Sequence, residues 1–169
     1  MKAIKFFAIA ILFSGVSVIS SAQVTATATA SSTIVTPISI TKTLDMNFGN
    51  VAVNSTAGTV ILTPEGGRTA TDGVTLPATK GTVTAAEFNV TGANNYTFSI
   101  TLPSTSHEIK NGDNTMSVTD FTSTPTPTGT LSATGSATVK VGATLHVSAG
   151  QAAGTYTSGT PFKVTVNYN

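Results

Sequence analysis

Apolar and polar residues alternate along several stretches of the chain, which is the pattern of a strand with one buried face. The clearest stretch covers residues 139–148, where odd-numbered positions are apolar and even-numbered positions are polar or small. Two further stretches alternate in the same way, and each predicts a strand that packs on a core and meets water on its other face. The apolar positions are Val139, Val141, Ala143, Leu145 and Val147; Tyr96, Phe98, Ile100 and Leu102; and Phe162, Val164, Val166 and Tyr168.

Weaker alternation predicts further strands at residues 33–41, 44–48, 59–63, 81–90 and 116–121. In the fourth of these ranges the apolar positions change parity between Ala85 and Phe88. One extra residue would return the apolar side chains to the same face. We therefore predict a β-bulge near Ala86 or Glu87.

Turn-forming residues separate these strands. The best hairpin candidate is Asn111-Gly112, and the proline-containing residues 122–129 are expected to form a loop. No helical periodicity follows the first 22 residues. Many short strands with turns between them predict an all-β fold, a single antiparallel β-sandwich over residues 33–169.

The N-terminus has the pattern of an export signal. Lys2 and Lys5 precede an apolar run from Phe6 to Phe13, and small residues follow up to Ala22. This run is short for a membrane span, which needs about 20 apolar residues. We predict a signal peptide at residues 1–22, with an uncleaved anchor as the alternative, and export to the periplasm, the cell surface or the extracellular space. The chain after cleavage has no apolar run long enough to span a bilayer.

Composition narrows the class of partner. The chain has eight basic and seven acidic residues and no cysteine, and Lys2 and Lys5 fall in the predicted signal peptide. The remaining charges are scattered, so no basic patch indicates binding to nucleic acid or anionic lipid. Without cysteine, an exported domain must fold without disulfides or thiolate metal sites.

Residues 23–32 are rich in threonine and alanine and are expected to form a flexible segment or a weak strand. Their alternating apolar positions could enter a groove on a neighbouring molecule, although a methyl group buries little area. We predict that residues 33–41 belong to the domain, whereas residues 23–32 are free to reach a second copy. The candidate donor positions are Val24, Ala26, Ala28 and Ala30.

Candidate catalytic and metal-binding residues are few. His146 falls on the polar face of its predicted strand, and His107 falls in a predicted polar loop beside Glu108. A metal site needs three or four converging ligands, and neither histidine has them in sequence. Residues 111–114 lack the spaced acidic residues of a calcium loop, and no G-x-S-x-G motif is present. We expect no metal, no cofactor and no enzymatic activity, although paired carboxylates for glycoside hydrolysis stay open.

A set of motifs in a fixed order resembles a known family. The motifs are LDMNFGNV at 44–51, GTV at 58–60, and the segments 92–102, 139–145, 149–156 and 162–169. Together they resemble domain of unknown function 4402, a family of short secreted bacterial proteins, from about Ile38 to the C-terminus. The resemblance implies no particular activity.

The end of the chain is also similar to chaperone–usher pilins. Tyr168 is penultimate, the residues before it alternate, and Gly154 or Gly159 stands roughly where pilins have a glycine. Neither spacing is the usual one, and the disulfide of many pilins is missing. This similarity implies an immunoglobulin-like, pilin-like sandwich. The alternative for Tyr168 is an ordinary residue of a sandwich edge strand.

Three functions compete. The first is a non-enzymatic secreted surface protein, a structural or adhesion subunit of a fimbria-like assembly whose partners are other copies or a fibre-assembly chaperone. The second is a self-contained secreted binding or matrix module that contacts ligands through its loops. The third is an enzyme. We favour the first, in which Phe162, Val164, Val166 and Tyr168 form the strand critical for folding or assembly.

Overall fold

A computed structural model describes residues 22–169, and the predicted signal peptide, apart from Ala22, lies outside the described residues. The chain divides into two units between Thr33 and Ile34. Residues 22–33 form no strand and their side chains are exposed. The second unit, Ile34–Asn169, contains ten strands. Within the described residues, no helix has the length and apolarity needed to cross a membrane.

The ten strands pair only in the antiparallel sense, which confirms the predicted all-β antiparallel fold. They form a larger sheet of seven strands and a smaller sheet of three, in a sandwich-like arrangement. The strands are β1 (Ser39–Leu44), β2 (Ala52–Leu62), β3 (Arg68–Thr75), β4 (Ala86–Thr91), β5 (Thr97–Thr101), β6 (His107–Asn111), β7 (Asn114–Thr124), β8 (Thr128–Thr130), β9 (Ser136–Val147) and β10 (Thr165–Tyr168).

Strand β9 organises the larger sheet. Strand β7 runs along one edge of β9, and the register places β4 and β2 on the opposite edge, β4 beside the first half and β2 beside the second. Gly142 lies where β4 gives way to β2. Strands β1, β3 and β6 extend the sheet outward from β4, β2 and β7, and the smaller sheet has the order β10-β5-β8.

Two apolar clusters fill the interior along β9. The alternating face predicted from the sequence is buried, with Val139 and Val141 fully inaccessible and Leu145 2% exposed. The first half of β9 packs on the smaller sheet through Phe98, Leu131 and other buried residues. The second half packs instead with Phe48 and its neighbours between β1 and β2. The smaller sheet therefore covers only part of the larger one.

The N-terminal strand differs from the prediction. Strand β1 begins at Ser39 rather than at residue 33, since Pro37 cannot donate to a ladder. The predicted strand at residues 44–48 is wrong: Leu44 ends β1 opposite Glu87, and residues 45–48 contribute a single bridge, from Asn47 to Thr84. The predicted bulge near Ala86 or Glu87 is wrong. The register of β4 against β9 is continuous there, and the extra residue is Thr43 of β1.

Other boundaries also shift. The predicted loop at residues 122–129 was too long, because β7 continues to Thr124 and β8 begins at Thr128, which leaves residues 125–127 between them. The last strand is shorter than its alternation suggested and starts at Thr165. The predicted hairpin is confirmed: β6 and β7 are joined by two residues, and Gly112 takes a φ of 58°. A positive φ at the first of two turn residues is typical of a type II′ hairpin.

A candidate assembly edge at the C-terminal strand

Strand β10 forms one end of the smaller sheet, where β5 is its one partner among the described strands. Beyond the strand, Asn169 N donates to Thr97 O at 3.3 Å. Because backbone groups of an antiparallel strand alternate between its two edges, Thr165 and Asn167 face β5, and Val166 and Tyr168 direct their N–H and C=O groups outward. Within residues 22–169, no strand pairs with this outward edge.

The apolar side chains of the C-terminal segment pack inward. Val166 is 7% exposed and belongs to the cluster between the sheets, and Phe162, Val164 and Tyr168 are half-buried against it. The Phe162 ring lies 5.0 Å from that of Phe121, measured between centroids. It also makes edge contacts with Phe88 at 6.4 Å and with His107 at 5.9 Å. Phe162 and Val164 thus share the buried side without belonging to the ladder.

Tyr168 has a polar role that the alternating pattern does not reveal. Its hydroxyl accepts the N–H of Ala93 at 2.6 Å and donates to Thr36 O at 2.7 Å. Its ring makes an edge contact with Tyr96 at 5.5 Å. A side chain at Gly92 would collide with this hydroxyl. The last residue of β10 is therefore tied both to the turn after β4 and to the segment before β1.

The candidate donor segment is uncharged and exposed. Val24, Ala26, Ala28 and Ala30 are all exposed, Val24 to 92%, and they belong to no strand. The first charged residue after Ala22 is Lys42. Backbone groups of an extended segment without ladder partners are available for pairing.

A groove of about 1330 Å³ lies over the second half of β9, where the smaller sheet does not reach. Val118, Leu145 and Val147 line it, together with residues 46–53 and 151–158. Arg68 Nη1 holds the first of these segments by donating to Phe48 O and, at 2.9 Å, to Asn50 O. Sequence reasoning missed this groove, since its walls have no periodic pattern.

The titratable groups do not converge. His107 lies in β6 rather than in a loop, and its Nε2 is 3.0 Å from Ser158 Oγ. His146 is exposed as predicted, with Nε2 2.7 Å from Thr119 Oγ1. Among residues 22–169, no three His, Asp or Glu side chains are grouped to hold a metal ion. A hydrogen bond from Thr124 Oγ1, at 2.9 Å, lowers the pKa of Glu65 from its ordinary value of 4.5, and this carboxylate is exposed on the surface.

The family described as "Domain of unknown function (DUF4402)" matches residues 38–168. The chain belongs to the DUF4402 family. The match confirms the resemblance found in the sequence, begins one residue before β1 and ends on the last residue of β10. It contains all ten strands and Tyr168, but not the candidate donor segment. No curated protein and no solved structure matches the chain. The similarity to pilins and the immunoglobulin-like topology stay predictions.

Proposed function

We propose that this DUF4402 protein is a non-enzymatic secreted surface protein that serves as a structural or adhesion subunit. Its copies join by strand addition, in which an extended segment of one molecule pairs with the outward edge of β10 in the next. The observation that carries the proposal is the outward backbone of Val166 and Tyr168, which pairs with no strand among residues 22–169 and lies beside a buried apolar face. In strand addition, main-chain hydrogen bonds supply affinity and alternate side chains set the register.

Strand β10 differs from the other sheet edges in this protein. Charged residues, prolines, bulges and very short strand lengths protect edge strands from unwanted pairing. The sequence of β10, Thr-Val-Asn-Tyr, has no charge and no proline, and its register with β5 has no bulge. Each of the other edge strands has at least one of these features. Charged residues lie in β1 (Lys42), β3 (Arg68 and Asp72) and β6 (Glu108 and Lys110), and β1 also has a bulge. Strand β8 has only three residues and follows Pro127.

The donor in this proposal is the segment 24–30 of a second copy. Seven extended residues span about 23 Å, more than the four residues of β10 require. The segment has no charge that pairing would bury, and its alternating valine and alanine side chains are small enough to lie against the half-buried residues around β10. The partners are other copies of this chain or an assembly chaperone that occupies the edge first.

Truncation tests the donor. Light scattering should show higher species for residues 23–169 and a monomer for residues 33–169, while circular dichroism shows the same strand content in both. Intact-mass measurement of the secreted protein should give an N-terminus at Gln23.

The matched pair Ala28→Pro and Ala28→Val distinguishes loss of backbone pairing from the effect of a larger side chain, because proline removes one N–H from the added strand. Strictly monomeric residues 23–169 under native secretion conditions would exclude the subunit function.

The groove over β9 favours a second candidate, a self-contained secreted binding module. Small ligands usually bind in concave pockets that are mostly apolar and carry a few polar groups. Here Phe48, Val147 and Phe162 supply apolar surface, and Lys42 and Gln151 supply polar groups. If this function holds, an environment-sensitive apolar dye should bind residues 23–169, and Ala152→Trp at the groove rim should abolish binding. Ala149→Trp, at an exposed position outside the groove, is the control.

A further inference from the structure

Residues 34–38 are held to the domain by few contacts. They precede β1 and form no strand, and Ile34 is 97% exposed. Val35 and Ile38 are half-buried, and Ile38 packs on the cluster that contains Val166. Pro37 has no N–H to donate. From Ser39 to Lys42, by contrast, the chain is paired residue by residue with β4.

A single phenol supplies the polar attachment of this segment. In the described part of the chain, the hydrogen bond from Tyr168 Oη to Thr36 O, at 2.7 Å, is the one hydrogen bond that residues 34–38 make outside the ladder. A tyrosine hydroxyl has one proton, so this bond uses its whole capacity to donate. Tyr168, which donates this hydrogen bond, belongs to β10. Strand β1, which follows residues 34–38 in the chain, also lies beside β10.

We infer that residues 34–38 are a displaceable cover over the outward edge of β10, released when the hydrogen bond between Tyr168 and Thr36 breaks. The inference rests on the proposed strand addition and names what regulates it. Residues 34–38 touch β10 through the Tyr168 phenol and the apolar cluster around Val166 and form no ladder bonds with it, whereas an arriving strand forms such bonds with the outward groups of Val166 and Tyr168. An arriving strand therefore replaces the cover once the phenol releases it, and a free subunit is protected against premature pairing until then.

Tyr168→Phe tests the cover in the mature chain, residues 23–169. Phenylalanine keeps the ring and its packing but removes the hydroxyl. Release is measured by the fluorescence anisotropy of a dye on Ile34→Cys, an exposed position in a chain that has no other cysteine. Assembly is measured separately as the rate of rise in light scattering. We expect lower anisotropy and roughly fivefold faster assembly, the change that corresponds to about 1 kcal/mol for one hydrogen bond.

Tyr156→Phe is the matched control. The Tyr156 hydroxyl also accepts one bond, from Gln151 Nε2 at 2.8 Å, and donates one, to Ala152 O at 2.8 Å, but it lies in the groove wall. This variant should leave anisotropy and assembly rate unchanged. If Tyr168→Phe does not fold, as judged by circular dichroism, Ile38→Ala loosens the same segment from its apolar anchor and should give the same two changes.

The two readouts distinguish the cover from strand addition itself. Normal assembly with unchanged anisotropy and rate in Tyr168→Phe would overturn the cover and leave strand addition standing. Absence of assembly in every variant, with the anisotropy lowered as expected, would overturn strand addition and remove the cover's role with it. Faster assembly in both Tyr168→Phe and Tyr156→Phe would also overturn the cover, because the effect would not depend on residues 34–38.

Discussion

Replacement of Phe162 by alanine tests whether the segment leading into β10 holds the domain together. The side chain packs against Phe88, Phe121 and His107, and it lies at the junction of the first apolar cluster and the groove. The ladder of β10 begins at Thr165, so the backbone near residue 162 pairs with no strand of the described chain. Its side chain therefore attaches this part of the chain to the larger sheet, together with that of Val164.

The size of the effect follows from the burial of Phe162. Truncation of a fully buried phenylalanine to alanine costs about 3–5 kcal/mol. Because Phe162 is only half-buried, we expect a loss of about 2–3 kcal/mol. Its aromatic contacts account for about 1 kcal/mol of this sum. Phe162→Leu keeps most of the apolar burial and loses the ring contacts, so it should cost about 1 kcal/mol.

Urea titration and thermal melts of residues 23–169 measure these differences. For a domain of this size, a loss of 2–3 kcal/mol lowers Tm by about 4–12 °C. Lys163→Ala is the control, because Lys163 is exposed on the other side of the same segment and should change stability by less than about 0.5 kcal/mol. Equally small effects of Phe162→Ala and Lys163→Ala would show that the packing of this segment does not contribute to stability.

Two other substitutions test how the larger sheet and the groove are built. Gly142→Ala should destabilise the domain by about 2 kcal/mol or more in urea titration, because a methyl group there would collide with Leu62 O and lie 2.7 Å from Thr63 C. Gly159→Ala is the control and should be neutral, because no atom lies near its added methyl. Arg68→Ala should lower the free energy of unfolding by about 1–3 kcal/mol and raise the rate of hydrogen exchange at residues 46–53, because Phe48 O and Asn50 O lose a charged donor. Lys80→Ala, at an exposed position, is the control and should change neither quantity. Unchanged exchange in Arg68→Ala would show that other contacts hold this wall.

The strands that the sequence predicts well are those in which side-chain burial and backbone pairing coincide. In β9 the buried odd-numbered positions and the ladder cover the same residues, so a period of two locates the strand. In the C-terminal segment they separate. Phe162 and Val164 continue the alternation because their side chains are half-buried, but their backbone pairs with no strand in the described chain. Alternation reports the environment of side chains, and the predicted strand was consequently too long.

The error at residues 81–90 has a different origin. The change of parity after Ala85 suggested an extra residue within one strand. In the structure, Val83 and Ala85 precede β4, so their parity belongs to a separate segment that touches Asn47 through Thr84. The actual bulge, at Thr43, lies in the partner strand opposite Phe88 and Glu87. A parity rule applied to one strand cannot show which of two partners carries the extra residue.

The features that support the candidate edge depend on contacts between distant parts of the chain. Thr36 and Tyr168 are 132 residues apart, and neither has a neighbour in sequence that indicates their hydrogen bond. The pairing of β10 with β5 likewise leaves one edge open only because no other strand of the described chain takes that position. The apolar residues of β10 were visible in the sequence. Their position at the end of a sheet was not, because strand order is set by the whole topology.

The boundary of the family match separates the two sides of the proposed contact. Residues 38–168 include β10, Gly92 and Tyr168, so the edge and its phenol belong to the DUF4402 domain itself. Thr36, which accepts the phenol's hydrogen bond, and the segment 24–30 lie before the match. The proposed acceptor is thus part of the folded domain, where buried Val166 fixes its position. The proposed cover and donor come from residues 24–38, in which Ile38 is the one side chain that packs on an apolar cluster, so most of this segment can move while the rest of that cluster stays in place.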